Sequence, residues 1–436
     1  MADHRLFSSL VGLFALLVLA LSMPWHEANA QTRTPDSIDI GTALALARES
    51  SPLLEAARAR LGEAQGDVTT AGLLLVENPE VDFEAGRRFL SQGGGTETDF
   101  AASLSQRFET GGQRRHRIAR AEANYSAAQA TAADVGRVVS HAVAAAFFEA
   151  LTAGDRTAVA AQNAELAENL YEIADSRVKG GAAAPLELHG ARIRLAEARR
   201  RFLQAQLSRR EAEIQLARVI GIAPPHRFSL VGELPRAATL PTLDELLQEA
   251  LAKHPRVQAA QSEVDSSRSS SRSAVELADA EAWPDISLGV GYKRDSGDDV
   301  VGGRVTVPLP LFDRKQGERA RARARARRAV AEQRSRRLEV ESDVRRSFAR
   351  YEIALEAVRE YDAAVLRAQE ESLQLMQKMF EAGKIQYVEV VLLQRELLEG
   401  RLGYLDARLN LARSEVSTRA ASGLDIAATA SQGGQP

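Results

Sequence analysis

Residues 108–114 have the sequence FETGGQR, and residues 312–319 have the related sequence FDRKQGER. In both places two segments of alternating polar and apolar residues precede the stretch, and a long segment without proline follows it. Alternation with a period of two is typical of strands, whereas long spans with a heptad rhythm are typical of helices. We therefore interpret each stretch as a junction between a strand pair and a long helix.

The recurrence of the junction belongs to a wider duplication. Further anchors recur in the same order about 200 residues later: Ser51-Pro52 as His254-Pro255, Asn78-Pro79 as Trp283-Pro284, Gly181 as Gly383, Glu187 as Glu389 and Gly221 as Gly423. A period this long indicates a duplicated subdomain of several elements rather than a solenoid. Each copy runs in the order short helix, strand pair, very long helix, shorter helix. We predict a first repeat over residues 31–235 and a second over residues 236–425.

The first 30 residues have the features of a secretory signal. His4 and Arg5 precede an apolar run, and Ala28-Asn29-Ala30 fits the rule for a small-x-small cleavage site. The apolar run is too short for the alternative, a single membrane anchor. We predict cleavage after Ala30 and a mature chain that works outside the cytoplasm. The last residues, 426–436, are predicted to be a disordered tail.

Composition excludes several classes of protein. The chain has no cysteine, which excludes disulfides, thiolate chemistry and a lipid-modified cysteine at the new N-terminus. No stretch after the signal has 18 apolar residues in a row, so we predict no transmembrane helix. The net charge of −3 indicates no acidic partner. Alanine, leucine, glutamate and arginine dominate long windows, as in coiled coils.

Two pairs of strands are predicted, about residues 80–109 and about residues 285–311. Alternating residues share one face of each strand, and in the second copy these are Ile286, Leu288, Val290, Tyr292, Val301, Val305 and Val307. About 10 residues is the length of a tilted membrane-spanning strand. A soluble hairpin with one face on a core is the alternative, and the strand pattern alone favours it.

Each strand pair is followed by a long predicted helix, about residues 113–178 and about residues 316–381. Both have an apolar heptad rhythm and no proline. Such a helix is roughly 100 Å long and has to pack along its side against another helix. Glycines end both helices, at Gly180-Gly181 and at Gly383, and a shorter helix follows each.

These features together resemble the TolC-type outer membrane efflux proteins over residues 38–425. Gly181 followed by Leu186-Glu187-Leu188, and Gly383 followed by Val388-Glu389-Val390, match the turn that this family has at its periplasmic tip. The two strand–helix junctions are most similar to the cobalt–zinc–cadmium resistance branch, which serves pumps of the resistance-nodulation-division type.

The resemblance implies a mainly α-helical fold with a membrane β part. Four strands leave open edges, which hydrocarbon does not tolerate, so other chains have to close the sheet. The family implies a homotrimer with a shared 12-stranded barrel above a coiled-coil tunnel. It also implies an outer membrane exit duct of a tripartite efflux pump, in contact with a periplasmic adaptor and, indirectly, an inner membrane pump. A duct for drug efflux or type I protein secretion is the alternative within this class, and a periplasmic adaptor is the alternative outside it.

The candidate functional residues lie at the tips and at the junctions. The candidates for adaptor docking are Gly180, Gly181, Leu186, Glu187, Gly383, Val388 and Glu389. The candidates for the periplasmic aperture are Glu389, Lys384 and Arg395, with Lys378 and Glu381 near enough for ion pairs. The junction candidates are Phe108, Gly111, Gly112, Phe312 and Gly317. Glu187 and Glu389 have the alternative role of acids that stabilise a helix N-terminus. The family's second acid, three positions after Glu389, is replaced by Leu392.

No enzyme, cofactor or metal site is predicted. The histidines after the signal form no i, i+4 pair, and we interpret Met376 and Met379 as packing residues rather than a copper relay. No nucleophile motif or phosphate loop is present. The arginines from Arg319 to Arg328 suggest nucleic acid, but a secreted chain argues against that partner. The remaining interpretations are a solvated helix face and an arginine belt beneath the outer membrane lipid.

Overall fold

The structure is a computed structural model, and it describes residues 37–75, 77–89, 96–223, 228–235, 240–280, 285–295, 298–309, 311–312, 316–361 and 363–426. The predicted signal peptide, the three glycines at positions 93–95, which we expect to form the turn between the first two long strands, and residues 427–436 of the predicted tail lie outside these ranges. The described part is mainly helical and contains four long strands and two strands of two residues. The helices are α1 (Ile40–Ser50), α2 (Pro52–Ala71), α3 (Gln113–Lys179), α4 (Pro185–Ile220), α5 (Leu243–Lys253), α6 (Pro255–Ala280), α7 (Gln316–Glu360), α8 (Ala363–Glu381) and α9 (Tyr387–Ser422). The strands are β1 (Ser37–Ile38), β2 (Glu80–Phe89), β3 (Thr96–Phe108), β4 (Ser229–Leu230), β5 (Ile286–Asp295) and β6 (Asp298–Thr306).

Four anchors of the duplication, Ser51-Pro52, His254-Pro255, Gly221 and Gly423, lie near the middle of the long helices. Ser51 and His254 are extended, because each precedes a proline that begins the next helix. Gly221 ends α4 beside Ser50, and Gly423 ends α9 beside His254. At Gly221, φ is +95° and a Cβ would lie 2.2 Å from the carbonyl oxygen of Ser50, so only glycine fits. Each of the two shorter helices, α4 and α9, therefore returns to the proline that begins a helix near the start of its own repeat.

The largest apolar core lies at this same level. It contains Ile38, Leu44, Phe147, Ile220 and Leu234, all nearly inaccessible to solvent. The two-residue strands β1 and β4 pair in parallel beside it. This core joins α1 and the middle of α3 to the ends of α4 and α9, so the duplicated halves share one interior.

Helix α3 carries an 18-residue window that is apolar enough, with a mean hydropathy of 1.2, to cross a membrane by length and composition. This finding differs from our expectation of no such segment, which counted only unbroken apolar runs. In α3 the buried Val143, Ala144 and Phe147 belong to the core described above. Of this window, 44% is buried inside the protein.

Strands β2, β3, β5 and β6 form one antiparallel sheet in that order. The register places Leu104 opposite Val81 on one side and Val290 on the other, and Tyr292 opposite Val301. The alternating apolar residues of all four strands therefore form one continuous face. Serines, glycines and charged residues form the opposite face. The outer strands β2 and β6 have no neighbour beyond them among the described residues.

The second long helix differs from the single helix predicted for about residues 316–381. It is two helices, α7 and α8, which meet at Tyr361. The ring of Tyr361 packs on Tyr404, with 5.5 Å between the ring centroids. Its hydroxyl lies only 2.7 Å from the position that a Cβ would take at Gly403. This contact comes from α9, and no glycine or proline near residue 361 predicts the break.

Candidate functional site at the helix tips and strand–helix junctions

Both long helical segments end in the same hydrogen-bonded turn. Gly181 and Gly383 have φ angles of +72° and +67°, as the sequence predicts for glycines at these turns. The amide of Ala182 donates to the carbonyl of Arg177, and the amide of Lys384 donates to that of Met379, at 2.8 and 2.9 Å. Bonds of this span belong to the Schellman motif, in which a left-handed residue ends the helix. Gly180, by contrast, has an ordinary φ of −79°.

At the second tip, Glu389 caps the start of its own helix. The Glu389 carboxylate accepts a hydrogen bond from the backbone amide of Gln386 at 2.8 Å, and the amide of Glu389 donates to the backbone carbonyl of Gln386 at 3.0 Å. Two amides at the start of α9 are thereby satisfied. Glu389 remains exposed to solvent in the single chain. The structure thus gives this acid a capping role.

The first tip uses its acid differently. The side chain of Glu187 is only 16% exposed and forms an ion pair with Arg177, at 3.7 Å between Oε1 and Nη1. Helix α4 has no side-chain cap, since Ala184 is its N-cap residue. Glu187 lies in the first turn of α4, so its expected stabilisation of the helix N-terminus stays a prediction. The structure adds the ion pair with Arg177, which lies one turn before the glycine and offers the carboxylate a charged partner across the turn.

Arg177 also connects the two tips. Its guanidinium lies over the ring of Phe380, 4.9 Å from the centroid, and donates to the Phe380 carbonyl at 3.3 Å. Tyr387 packs on Gly190, whose missing side chain leaves room for the ring. A shared apolar cluster continues the contact along the helices, through Leu166, Leu170, Met376, Phe380 and Val390. Met376 is thus a packing residue. Sequence reasoning missed Arg177, Phe380, Tyr387 and Gly190, because no motif in the sequence connects residues 200 positions apart.

Two tip residues have exposed apolar side chains. Leu186 is 80% exposed and Val388 is 57% exposed. They hold equivalent places in the first turn of α4 and of α9. Arg395 forms an ion pair with Glu399 of its own helix at 2.8 Å, so within the chain it does not join the predicted group around Lys384. The described tips therefore present apolar and charged side chains to solvent around two rigid turns.

Side-chain hydrogen bonds and ion pairs stabilise the first strand–helix junction. Gly112, with φ +75°, precedes α3. The Gln113 side chain accepts from the amide of Gly111 at 2.8 Å and donates to Asp285 at 2.7 Å. Arg107 forms ion pairs with Asp285 and Glu77, both at 3.1 Å. Asp285, immediately before β5, therefore ties the second strand pair to the first junction, a contact that sequence reasoning missed.

Two arginines of α3 satisfy the end of α2. Arg114 donates to the carbonyl of Gly72, and Arg117 donates to those of Ala71 and Leu73. These carbonyls lack helical partners, and cations near a helix C-terminus also complement its dipole. Arg114 belongs to the quoted motif FETGGQR, so the motif has a structural function. It holds α2 and α3 side by side directly below the sheet.

The second junction is more open. Phe312 is 92% exposed and Leu309 is 72% exposed, while Phe108 of the first junction is 38% exposed. A Cβ at Gly317 would meet no other atom, and residues 313–315 lie outside the described ranges. Beyond this junction the side chains of Arg321, Arg323, Arg325 and Arg327 are exposed, and Arg328 pairs with Glu332 at 3.6 Å. Exposed apolar residues are thus followed within a few turns by exposed arginines.

A partly buried polar cluster lies where the two repeats of the chain join. Asp134 binds Arg137 at 2.7 Å and Arg256 at 3.1 Å. Burial opposes ionisation, yet these two guanidinium groups lower the pKa of Asp134. His254 is 2% exposed, and burial together with Arg137 lowers its pKa to about 4. This histidine is therefore neutral at pH 7. Within the described part of the chain, no group of three or more potential ligands is placed to hold a metal ion.

Several curated proteins are similar to this chain. The cobalt-zinc-cadmium resistance protein CzcC of Cupriavidus metallidurans is 28% identical, over 84% of this chain and 86% of the relative. The nickel and cobalt resistance protein CnrC of the same organism is also 28% identical, over 69% and 68%. The pyoverdine export outer membrane protein OpmQ of Pseudomonas putida is 24% identical, over 90% and 86%.

Solved structures and a family model agree with these relatives. The structure of CusC has a TM-score of 0.70 and 19% identity, over 92% of this chain and 97% of that one. The open-state structure of the MtrE outer membrane channel of Neisseria gonorrhoeae also has a TM-score of 0.70 and 19% identity, over 88% and 89%. At this identity the likeness shows the fold. The model of the outer membrane efflux protein family matches residues 43–222 and again residues 246–424, and the chain therefore belongs to that family.

Proposed function

We propose that three copies of this chain form the outer membrane exit duct of a tripartite efflux pump, and that the duct carries divalent metal ions. The duct is passive: an inner membrane pump supplies the energy, and a periplasmic adaptor docks on the helical tips. The single observation that carries this proposal is the four-stranded sheet, with one continuous apolar face and two open edges, followed by a helix of 67 residues.

The sheet supports a membrane location. Phe83, Val290, Val301 and Val305 are between 63% and 82% exposed, on a face that no other described element covers. A contiguous apolar face of this kind indicates a membrane or protein partner. Hydrocarbon requires that every backbone group has a hydrogen-bond partner, so the open edges have to pair with other copies. Three copies of the sheet supply the 12 strands that the family resemblance implies.

The helices support the duct and its docking site. Helix α3 is roughly 100 Å long, so its tip lies far from the sheet. The exposed Leu186 and Val388 lie there beside the rigid turns at Gly181 and Gly383. Small apolar anchors on rigid elements are suited to helix-to-helix contacts with an adaptor. We assign adaptor docking to these residues and to Gly180, Glu187 and Glu389.

Mature chains are proposed to begin at Gln31 and to carry no lipid. N-terminal sequencing of the purified protein tests this boundary directly. A first residue of Gln31 supports secretion through a cleaved signal, whereas retention of the first 30 residues in the outer membrane fraction would contradict it. The two repeats, residues 31–235 and residues 236–425, are proposed to be equivalent halves of one duct wall.

Metal ions are proposed as the cargo because two of the relatives are named for resistance to cobalt, zinc, cadmium or nickel. The test is a deletion strain of the source bacterium, complemented with the intact gene or with a variant that carries Gly383→Val. We expect the intact gene to restore growth in zinc, cobalt or cadmium salts and the variant to do so poorly. Restored tolerance to organic toxins or restored protein secretion, without metal tolerance, would favour the alternative cargoes.

A further inference from the structure

We infer that neighbouring copies join through strands β6 and β2, with Arg304 of one copy directly opposite Glu84 of the next. This inference rests on the proposed trimeric barrel and adds a register to it. It concerns the seam between copies, where the outer strand β6 of one sheet meets the outer strand β2 of another.

Both strands of this seam are uncovered in the single chain. Every residue of β2 and of β6 is exposed. Among the described residues, Glu84 of β2 and Arg304 of β6 have no ion pair, and the same is true of Glu80 and Asp298 on that face. Asp82 accepts from the Ser103 hydroxyl at 3.4 Å, and Arg88 binds Asp99 at 3.0 Å. The outer strands therefore carry opposite charges, Glu84 and Arg304, that the single chain leaves without an ion-pair partner.

The register inside the chain sets a reference level. Arg304 lies opposite Gly289, Gly289 opposite Ser105, and Ser105 opposite Glu80. A line across the four strands therefore runs from Arg304 to Glu80. If the strands stood parallel to the barrel axis, Arg304 would meet Glu80 of the next copy. Strands of closed barrels are tilted by 35–45° instead, and the tilt displaces the meeting point along β2.

The size of the displacement follows from barrel geometry. It has to be an even number of residues, because an odd number would move the apolar side chains to the other face. For 12 strands about 4.8 Å apart with a rise of about 3.3 Å per residue, Asp82 opposite Arg304 gives a tilt of about 19°. Glu84 gives about 35° and Gly86 about 46°. Only the last two lie near the range observed in barrels.

Displacement in the opposite direction is excluded by charge. Displacement by four or six residues toward the lower residue numbers of β2 gives the same two tilts. It would place Asp298 of β6 opposite Asp82 or Glu80 of the next copy, respectively. Like charges directly opposite each other destabilise a strand pair. The seam therefore runs toward the higher residue numbers of β2.

Side-chain chemistry decides between the remaining two registers. With Glu84 opposite Arg304, these two opposite charges form a cross-strand pair on the polar face. On the apolar face, Phe83 then meets Val305, an aromatic and β-branched pair of the kind that stabilises sheets. These two side chains are 82% and 67% exposed in the single chain. With Gly86 opposite Arg304, the arginine would face a residue without a side chain.

Cysteine pairs test the register, since the natural chain has no cysteine. Strands β2 and β6 of one chain are separated by two other strands, about 14 Å in all, which is too far for a disulfide. In the variant with Glu84→Cys and Arg304→Cys, we therefore expect oxidation to link different copies into covalent dimers and trimers on denaturing gels. Matched controls combine Arg304→Cys with Glu80→Cys or with Gly86→Cys. Linkage in a control, and not in the Glu84→Cys variant, would overturn the register.

A charge exchange provides a second readout. Arg304→Glu should lower the temperature at which the detergent-solubilised trimer dissociates, and adding Glu84→Arg should restore it. Native mass spectrometry of the parent protein separates the two levels of the proposal. Intact trimers that show neither the Glu84–Arg304 disulfide nor the charge rescue would overturn the register alone. A parent protein that is monomeric would overturn the trimeric duct itself.

Discussion

At the scale of single residues, adjacent glycines at the first tip have different requirements. Gly180 has a φ of −79°, where any residue fits, and a Cβ there would make ordinary contacts. Gly181 has a φ of +72°, which costs a non-glycine residue roughly 1–2 kcal/mol. The motif Gly-Gly therefore contains one residue that the turn needs and one that it does not.

We predict that Gly181→Ala destabilises the tip by about 1 kcal/mol and that Gly180→Ala is neutral or slightly stabilising. Hydrogen exchange at the amides of residues 176–182 measures the local effect, because the distant sheet is unaffected. Crosslinking to the adaptor in cells is expected to weaken only for Gly181→Ala. Equal behaviour of the two variants would contradict the assignment of the turn.

Glu389 and Glu187 differ in their surroundings, so their substitutions should differ in effect. If three copies of the exposed Glu389 lie near the aperture, they attract cations through their local field. We predict that Glu389→Gln lowers cation preference in planar bilayers, mainly at low salt, where screening is weak. Glu187 is engaged by Arg177, and Glu187→Gln is expected to change selectivity much less. Parental selectivity in both variants would leave Glu389 with its capping role alone.

His254 makes stability depend on pH. Its pKa is about 4 in the folded chain and about 6.5 in an unfolded one, so the unfolded state binds more protons between these values. The stability that neutral His254 supports is present above pH 6.5 and is lost as the pH falls toward 4. We predict a loss of about 2 kcal/mol per chain between pH 7 and pH 5.

Thermal unfolding followed by circular dichroism measures this loss. His254→Gln should remove most of the pH dependence while it lowers stability at pH 7. The pKa of His141 is also lowered by burial and by Arg137, so a smaller dependence is expected to remain. A variant that keeps the full dependence of the parent would show that His254 is not its source.

At the scale of elements, the sheet has an apolar face and a polar face. The alternation of apolar and polar residues along each strand determines them. Val290 lies on the apolar face opposite Leu104, and Ser103 lies on the polar face at nearly the same level. We predict that Val290→Arg costs roughly 2–4 kcal/mol if it faces lipid near the midplane. Ser103→Arg should cost far less, because that face meets water. Refolding yield into lipid vesicles measures the difference, and equal yields would argue for a soluble sheet.

The long helices show a second property of elements. Helix α3 is continuous, whereas its counterpart is divided at Tyr361 between α7 and α8. Both segments have the same apolar rhythm, so the rhythm does not decide continuity. At the break, Tyr361 packs on Tyr404 of α9, and Gly403 leaves the space for this contact. The two repeats therefore have the same order of elements but differ in whether the long helix is continuous.

At the scale of the whole molecule, the open sheet demands an assembly. We predict that protein extracted in detergent is a trimer that resists dissociation, because each open strand edge is paired with another copy. Size-exclusion chromatography with light scattering measures the mass of the particle. A monomer that retains all of its β structure in detergent would contradict the architecture.

The sequence by itself determined the family, the order of the elements and the conformation of the tip glycines. These features depend on neighbours along the chain, such as alternation in a strand, a proline after an extended residue or a glycine after a helix. Only the tertiary structure decided that Glu187 pairs with Arg177 while Glu389 caps its own helix. It also decided that Asp285 connects the two repeats of the chain and that the second long helix is divided into two at Tyr361. Such contacts join residues far apart in the chain, and no local pattern records which distant side chain will arrive beside them.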